Sequence, residues 1–397
     1  MAPAQRPPEV LFLAPVEPWC RENGSSVVIA DQLEGLLARG TVRLLPIFLR
    51  RPPEGLVPVP PEGLDGVQLG LEGVPRWLSV AKALLFRTTP LRVRFDNAAA
   101  VASVDAAVRE RNFHPTVVHV EHLPLVDIAL ALGRRYGAPV VYRSHNIEAV
   151  LLGRRAGLPG PLGAMLRRTA DRSEADAMRA CAMTLCISDV DLAWARKHAP
   201  DARSELMPCS LLMSRYDRVS GGAVAAKQLA FVGGLDWAPN EVGLRWFVDE
   251  VWPRLRAVVP DATLAVLARG AAQREWLQGK PGIELLPPEA QALDLFASSR
   301  LSIAPLLQGG GVRIKIPESL AVGCPVVATS IGAEGHDLPG ILRADEPRRF
   351  AEACASILTA APDPLARREL RDAVEARHGA TVHADRLQDI WNSVAPQ

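Results

Sequence analysis

The sequence lacks any long hydrophobic run, and this absence argues against a membrane-spanning helix. No apolar stretch approaches the roughly 18 residues that a span requires. The first one, VLFLAPV at 10–16, is followed directly by Glu17 and is too short for the apolar region of a secretory signal. We therefore expect a cytoplasmic protein, and contact with the inner face of a membrane remains open.

Paired cysteines are also missing. The eight histidines form no HExxH motif, and the cysteines show neither CxxC pairs nor zinc-ligand spacing. A zinc site is therefore not predicted, and the cysteines are expected to be buried, reduced thiols. There are six of them, at positions 20, 181, 186, 209, 324 and 354.

The chain has no excess of either charge. Lysine and arginine total 45 against 44 aspartates and glutamates, which leaves a formal net charge of +1. Nucleic-acid binding normally requires a basic surplus, so this class is not expected. An anionic ligand would have to be held by a local cationic site.

Length and pattern predict two α/β domains. The 397 residues suit two domains of roughly 150–200 residues, and the composition, 48% hydrophobic and 22% charged, excludes a disordered chain. Nearly continuous apolar runs alternate with helical patterns in both halves, as parallel strands covered on both faces do. We therefore predict two doubly wound parallel sheets that face each other across a cleft. The predicted strands include EVLFLAP, TVVHVEH, PVVYRSH, MTLCIS, QLAFVGG, TLAVLAR, RLSIAPL and CPVVATS.

The predicted boundaries divide the chain into four segments. An N-terminal domain is expected over 1–213 and a C-terminal domain over 228–378. The polar, glycine-containing segment 214–227 between them is interpreted as the linker. The last segment, 379–397, is predicted as a helix that caps one of the two domains, and packing back on the N-terminal domain is one of the two arrangements.

The strongest motif occupies residues 307–335, LQGGGVRIKIPESLAVGCPVVATSIGAEG. A buried strand ends in three consecutive glycines, and a helix is predicted to begin near Arg313–Pro317. Backbone N–H groups exposed by glycine, together with Arg313 and Lys315, make an anion site. Glu318 lies in the first helical turn, where a carboxylate can accept two ribose hydroxyls. The alternative is a glycine-rich turn with ordinary capping charges. The glycines are Gly309, Gly310 and Gly311.

The run from Gly311 to Thr329 resembles the donor-site signature of retaining glycosyltransferases with the GT-B fold, of the glycosyltransferase family 4 type. The order of predicted elements is similar over nearly the whole chain, whereas the specific motif covers about 30 residues. The resemblance implies that Arg313 and Lys315, with the three glycines, hold the diphosphate of a nucleotide-sugar and that Glu318 binds its ribose. Gly310 stands where many members have a glutamate that contacts the donor sugar.

A second glycine loop, FVGGLDWAPN at 231–240, has the form of the first loop in the family's donor domain. Many relatives carry arginine and lysine here, whereas this chain has Asp236, Trp237 and Asn240. The resemblance implies a donor-side role for Gly234 and leaves the cationic function to the 307–335 motif. The alternative is a helix start with proline at the first helical position.

The N-terminal half carries polar residues at three predicted strand ends. Gly24 and Ser25 follow the first strand, where the resemblance implies contact with the leaving diphosphate and the acceptor; a helix cap is the alternative. His145 matches a family histidine that contacts donor-sugar hydroxyls. Glu121 and His122 are expected on the acceptor side, either as an acid–base pair or as a structural hydrogen-bonded pair.

The resemblance implies a bacterial hexosyltransferase of polysaccharide biosynthesis that moves a sugar from a nucleotide-diphosphate-sugar to an acceptor hydroxyl, with retention of configuration. Arg313 and Lys315 are expected to replace a metal ion, so no metal and no cofactor are predicted. Both cations are expected at an exposed helix start, where truncation costs little stability. The competing functions are a non-hydrolysing nucleotide-sugar epimerase and a catalytically silent two-domain binding protein.

Overall fold

The computed structural model describes residues 7–21, 24–51, 59–64, 66–85, 88–95, 97–151, 160–219, 223–270, 275–287, 290–309 and 311–395. The chain forms two compact units. The first contains Met1–Ser210 and Ala380–Gln397, and the second contains Leu211–Gly379. Each unit is built around its own parallel β-sheet.

The first unit contains a seven-stranded parallel sheet. Its strands are β1 (Glu9–Val16), β2 (Arg43–Arg50), β3 (Val67–Gln68), β4 (Val117–Glu121), β5 (Val140–Ser144), β6 (Met183–Cys186) and β7 (Ser204–Leu206). Every residue of β4, β5 and β6 is buried, which explains their nearly continuous apolar character. The spatial order, β3-β2-β1-β4-β5-β6-β7, reverses direction between β1 and β4. Ligands bind at such a switch point in open α/β sheets.

Helices cover this sheet. They are α1 (Gly24–Arg39), α2 (Arg76–Leu85), α3 (Asn97–Glu110), α4 (Val126–Tyr136), α5 (Gly160–Ala180) and α6 (Asp189–His198). The α1 helix is the first α-helix after β1, and a short 3-10 turn at Pro18–Cys20 lies between them, so its first turn lies near the carboxyl edge of the sheet. Of the helices within the described ranges, none combines the length and apolar character needed to cross a membrane.

The second unit contains a six-stranded parallel sheet with the order β10-β9-β8-β11-β12-β13, which reverses between β8 and β11. Its strands are β8 (Ala225–Val232), β9 (Thr263–Leu267), β10 (Ile283–Leu285), β11 (Ser299–Ala304), β12 (Val326–Ala328) and β13 (Ile341–Arg343). Its helices are α7 (Met213–Asp217), α8 (Ala238–Trp246), α9 (Trp252–Val258), α10 (Ala292–Ser298), α11 (Lys315–Ala321), α12 (Pro347–Thr359) and α13 (Pro364–His378).

The C-terminal helix α14 (Ala380–Val394) belongs to the first unit. It packs against α1 so closely that a Cβ on Gly35 would lie 2.6 Å from the carbonyl oxygen of Ala380. Trp391 is fully buried in an apolar cluster with Val10 and Val141. Of the two arrangements left open by the sequence, the structure thus shows packing on the N-terminal unit.

The segment predicted as the linker, 214–227, lies inside the second unit. The chain passes between units at Ser210 and Leu211, earlier than expected. The linker interpretation is wrong because Met213 and Tyr216 of α7 are buried in the core of the second unit. The polar residues around them had suggested an exposed segment. The return crossing after Gly379 lies one residue from the predicted boundary.

The cysteines at positions 181, 186, 209, 324 and 354 are buried and form no disulfide within the described part of the chain. Burial raises the pKa of Cys181 and Cys186 to about 12 and that of Cys324 to about 11. Thiols with such pKa values remain protonated and are poor nucleophiles.

Candidate functional site

Two glycine loops lie next to each other in the second unit because they follow neighbouring strands, β8 and β11. Lys315, the first residue of α11, joins the loop after β11 to the loop after β8. Its ammonium donates to the Val232 carbonyl at 3.1 Å and to Asn240 Oδ1 at 3.2 Å. It also lies 5.0 Å from the centre of the Phe231 ring. Lys315, one of the two predicted cations, therefore links the two loops.

Glycine is required where these loops approach each other. Gly309 has φ 121°, in the region that disfavours side chains, and a Cβ there would lie 3.4 Å from the Trp237 ring. A Cβ on Gly233 would lie 2.7 Å from the side-chain nitrogen of Asn240. Asn240 also donates to the carbonyl of the predicted donor-side residue Gly234 at 2.9 Å. Asn240 thus holds the loop after β8 in shape and also binds the Lys315 ammonium.

Of the three predicted anion-binding glycines, Gly309 and Gly311 lie within the described residues and both have positive φ angles. Gly310 lies outside the described residues. The left-handed backbone at the two described positions is accessible to glycine at little cost. The local sequence therefore encodes a tight turn between β11 and α11.

Arg313 is buried, which contradicts the expectation of an exposed helix start. Only 6% of the residue is accessible. Its guanidinium donates to the Gly311 carbonyl and lies 3.6 Å from a carboxylate oxygen of Glu334. Its own carbonyl accepts from His336 Nε2 at 3.0 Å. Because Arg313 and Lys315 are both bonded to loop atoms, truncating either is expected to lower stability as well as to remove a charge.

The Lys315 ammonium is held in an environment that disfavours its charge. Burial, and secondly the positive charge of Arg313, lower the pKa of Lys315 from 10.5 to about 7. The two acceptors of Lys315 are neutral oxygens, which do not offset the lost hydration of a full charge. An anion placed beside both cations would restore the charged form of Lys315.

Glu318 lies in the first turn of α11. Its Oε1 accepts from the Tyr216 hydroxyl at 3.4 Å. Tyr216 is carried by α7, the helix inside the segment predicted as the linker. Tyr216 was not predicted as a site residue. Most residues around α7 are polar, and this pattern gave no sign that the tyrosine is fully buried.

The predicted residues of the first unit also come together, at the switch point between β1 and β4. Ser25 lies in the first turn of α1, Glu121 ends β4, and His145 follows β5. The Ser25 hydroxyl contacts His122 Nε2 and lies 3.4 Å from His145 Nδ1. Because α1 begins at Gly24, Ser25 is a first-turn residue whose hydroxyl contacts two imidazoles. We call Ser25, Glu121, His122 and His145 the switch-point cluster.

Glu121 is fully buried and accepts hydrogen bonds from several side chains. Its Oε1 accepts from Gln32 at 3.0 Å and from His119 at 3.0 Å, and its Oε2 accepts from His145 Nε2. Burial alone would raise the pKa of Glu121, but His145, His119 and Arg143 outweigh it, so the pKa is well below 4.5. The carboxylate is therefore ionised and acts only as an acceptor.

Trp391 fixes the tautomer of His119. The indole N–H can only donate, and it donates to His119 Nδ1 at 3.3 Å. His119 Nε2 must then carry the proton that it donates to Glu121. Burial lowers the pKa of His119, which keeps the ring neutral. The C-terminal helix thus supports the switch-point cluster through two successive hydrogen bonds.

His122 adopts an unusual backbone conformation, with φ 76° and ψ 141°. Its ring stacks on that of His145 with centroids 4.0 Å apart. Burial, and then the charge of His145, lower the pKa of His122 well below 6.5, so the ring is neutral. Left-handed backbone at a residue other than glycine costs about 1–3 kcal/mol and is retained where surrounding contacts require it.

Within the described residues no hydrogen bond joins Glu121 to His122, so the predicted structural hydrogen-bonded pair is not formed, and their acceptor-side role stays a prediction. Glu121 pairs with His145 and His119 inside the unit, and His122, which lies just after β4, stacks on His145. Because Glu121 is fully buried, it supports His145 instead of lining a surface. His119 was missed, although its place two residues before Glu121 in β4 puts both on one face.

The described residues contain no group of three or more histidine, cysteine, aspartate or glutamate side chains arranged to hold a metal ion. The polar groups of the site are instead the two cations and glycine loops of the second unit and the switch-point cluster of the first. The prediction of metal-independent chemistry remains to be tested.

Comparison with known proteins shows which part of the chain resembles a described family. Residues 226–360 match the family described as "Glycosyl transferases group 1". This range contains both glycine loops, Arg313, Lys315 and Glu318. No curated protein matches the chain.

Solved structures resemble the whole chain at low identity. Sucrose-phosphate synthase from Thermosynechococcus elongatus has a TM-score of 0.68 at 14% identity, with 97% of this chain and 98% of that chain covered. Anabaena Alr3699/HepE, in complex with UDP and glucose, has 0.61 at 13%, covering 97% and 100%. The α,α-trehalose 6-phosphate synthase from Burkholderia multivorans has 0.65 at 16%, covering 98% and 99%. The predicted fold class, a GT-B fold of two Rossmann-like α/β units, is confirmed.

The first prediction concerns the buried carboxylate. Glu121→Gln places an amide donor among groups that already donate, so we expect a loss of about 2–3 kcal/mol in the free energy of unfolding, measured by urea denaturation. The lowered pKa of Glu121 means that its stabilisation is present above about pH 4.5 and is lost as pH falls further. The difference between wild type and variant should therefore shrink in acid.

Glu110→Gln is the matched control, since the Glu110 side chain is 74% exposed. It should unfold at nearly the wild-type urea concentration. Equal, small effects of Glu121→Gln and Glu110→Gln would contradict the hydrogen-bond assignment.

The second prediction concerns backbone strain at His122. His122→Ala and His122→Gly remove the same imidazole, but only glycine adopts the observed φ without strain. We expect the glycine variant to be more stable than the alanine variant by about 1 kcal/mol, measured by the same denaturation. The opposite order would show that His122 is not held in this conformation.

Proposed function

We propose that this protein is a glycosyltransferase that uses a nucleotide-sugar donor and transfers the sugar to an acceptor hydroxyl. The observation that carries the proposal is the pair of cations formed by the buried Arg313 and the partly buried Lys315, beside two adjoining glycine loops. This arrangement lies within the range that matches the glycosyltransferase family. The HepE structures with UDP and with UDP-glucose support a nucleotide-sugar as the donor.

The electrostatics favour a dianionic ligand. Among the described residues the acceptors of Lys315 are neutral oxygens, so its loss of hydration is not offset by an opposite charge, and its pKa is lowered. A diphosphate beside Arg313 and Lys315 would supply the missing negative charge, and N–H groups of the glycine turn would add donors. We assign the diphosphate to these groups and the ribose hydroxyls to Glu318, whose carboxylate is kept in place by Tyr216.

Sugar transfer breaks the bond between the anomeric carbon and a diphosphate oxygen. Negative charge grows on the leaving group while the sugar becomes oxocarbenium-like. Fixed cations stabilise that charge most in the transition state and need no reorganisation. In the retaining reaction that we propose, the acceptor oxygen bonds to the anomeric carbon on the face that the diphosphate leaves, and the acceptor proton passes to a departing phosphate oxygen.

We assign sugar positioning to the switch-point cluster. Glu121 is saturated with donors and is poorly suited to take a proton from an acceptor. It orients His145 by accepting from Nε2, which turns Nδ1 toward Ser25. Ser25, His122 and His145 thus present hydrogen-bonding atoms suited to hydroxyl groups, whereas Arg313 and Lys315 serve the diphosphate.

The function is tested in two steps. Nucleotide-sugars are screened by thermal shift, and those that bind are assayed for release of nucleoside diphosphate with and without added acceptor alcohols, in excess chelator. We expect transfer without a metal, with hexose donors and with the anomeric configuration retained. Interconversion of two nucleotide-sugars would indicate an epimerase, binding without turnover would indicate a silent protein, and an absolute need for Mg²⁺ would remove the assigned role of the cations.

The third prediction is that nucleoside diphosphate binding takes up a proton at Lys315. Near pH 8 the ammonium is largely deprotonated in the free protein, and the bound diphosphate restores it. Calorimetry in buffers of different ionisation enthalpy should show uptake of up to one proton, and affinity should fall by up to about tenfold per pH unit above 7.

Lys315→Met is the matched variant because it keeps the length of the chain and removes the titrating group. It should bind more weakly, with little proton uptake and a flatter pH profile. Undiminished uptake in Lys315→Met would assign the proton to another group.

The fourth prediction concerns Glu318. Glu318→Gln retains the shape but loses charge-assisted hydrogen bonds to ribose, each worth about 1.5–3 kcal/mol. Because the ribose changes little during the reaction, the loss should appear as weaker nucleoside diphosphate binding with kcat nearly unchanged. Ribose-free pyrophosphate serves as the control ligand and should bind both proteins equally. Equal affinities for the nucleotide would contradict the ribose assignment.

A further inference from the structure

Asp236 and Trp237 lie in the glycine loop after β8 and carry polar atoms that the protein itself does not use. Asp236 is exposed and Trp237 is partly buried. Among the described residues, neither the Asp236 carboxylate nor the Trp237 indole N–H has a hydrogen-bond partner, and the carboxylate forms no ion pair. A carboxylate accepts hydrogen bonds and an indole N–H donates one, so both side chains can bind a polar ligand.

Trp237 borders the glycine turn that follows β11. The point that a Cβ on Gly309 would occupy lies 3.4 Å from the Trp237 ring and 3.3 Å from the Arg313 guanidinium. The ring and the guanidinium therefore meet the same glycine from two sides. Because glycine has no side chain to separate them, a ligand beside Arg313 can also approach the Trp237 ring.

The Asp236 carboxylate lies over Gly234, the glycine predicted on the donor side, since a Cβ on Gly234 would collide with Asp236 Oδ1. Other groups hold this loop: Asn240 donates to the Gly234 carbonyl at 2.9 Å, and the Leu235 N–H donates to the Arg269 carbonyl at 3.0 Å. The exposed Arg269 side chain forms no ion pair with Asp236. The carboxylate is therefore held in place with its acceptor capacity left for a ligand.

The order of groups along the chain separates the two ends of a nucleotide-sugar. Glu318, to which we assign the ribose, follows the two cations, whereas Gly309 precedes them. A diphosphate held by the cations would then have its ribose toward Glu318 and its sugar toward Gly309, where the Trp237 ring lies. Positions 309–311 are all glycine, so this turn offers the sugar no side chain of its own.

We propose that Asp236 and Trp237 bind the donor sugar, and that this sugar is a neutral hexose. The face of the hexose ring that carries C–H bonds would stack on the flat, apolar indole. Asp236 would accept from hydroxyls of the same ring through charge-assisted hydrogen bonds. The inference rests on the proposed function, from which it takes the position of the diphosphate.

The test measures, by calorimetry on the full chain, what the sugar adds to nucleotide binding. Each of UDP, GDP, ADP and dTDP is compared with UDP-glucose, GDP-mannose, ADP-glucose and dTDP-glucose. Trp237→Ala should weaken nucleotide-sugar binding by about fivefold to tenfold and change nucleoside diphosphate binding by less than about twofold. Trp237→Phe should recover most of the loss because it retains an aromatic ring. Asp236→Asn should weaken nucleotide-sugar binding by about tenfold and leave nucleoside diphosphate binding no weaker.

Trp77→Ala and Asp261→Asn are the matched controls, since Trp77 is 72% exposed on α2 and the Asp261 side chain is 63% exposed. Both should bind every ligand as the wild type does. If Trp237 only packs on the turn, Trp237→Ala should weaken both ligand classes equally. That result, or unchanged nucleotide-sugar binding in Trp237→Ala and Asp236→Asn, would overturn the inference and leave the proposed function standing. A wild type that binds none of these ligands would contradict the proposed function and the inference together.

Discussion

Glu121 is fully buried at the end of β4, so both oxygens of its carboxylate need hydrogen-bond donors from the protein. This requirement determines how several elements of the first unit are arranged. Glu121 draws donors from α1, from its own strand and from the residue after β5. The Trp391 indole extends the network to α14 by fixing the tautomer of His119. The orientation of His145, and through it the position of Ser25, depends on this one charge being satisfied.

Lys315 is the converse case. Its partly buried ammonium lies beside two neutral oxygens and another cation, so its pKa falls to about 7. The charge of the fully buried Glu121 is compensated by donors, and its pKa falls because ionisation is favoured. A compensated buried charge holds structure, and an uncompensated one attracts a counter-ion. Whether an opposite charge or donors compensate the group therefore distinguishes Glu121, a positioning residue, from Lys315, which we assign to ligand binding.

Local sequence predicted the strands and the glycine turns because both depend on residues close together in the chain. Continuous apolar runs mark strands buried on both faces, and Gly309 marks a turn that needs positive φ. The pairing of Glu121 with His145, the burial of Arg313 and the packing of Tyr216 depend on residues that are distant in sequence; Trp391 and His119 are 272 residues apart. The linker prediction failed for the same reason, since α7 is short and only its tertiary contacts show that it is buried.

The distribution of charge between the units supports the division of roles that we propose. Within the switch-point cluster the one carboxylate, Glu121, accepts several hydrogen bonds, and burial keeps the ring of His122 and that of the adjoining His119 neutral. Neutral donors and acceptors discriminate among hydroxyl groups by geometry, because each hydroxyl needs a correctly placed partner. A departing diphosphate needs concentrated positive charge, which Arg313 and Lys315 supply at a place where burial strengthens it. Arg313 already lies 3.6 Å from the Glu334 carboxylate, so the charge that Lys315 contributes is the part not offset by a carboxylate among its described contacts.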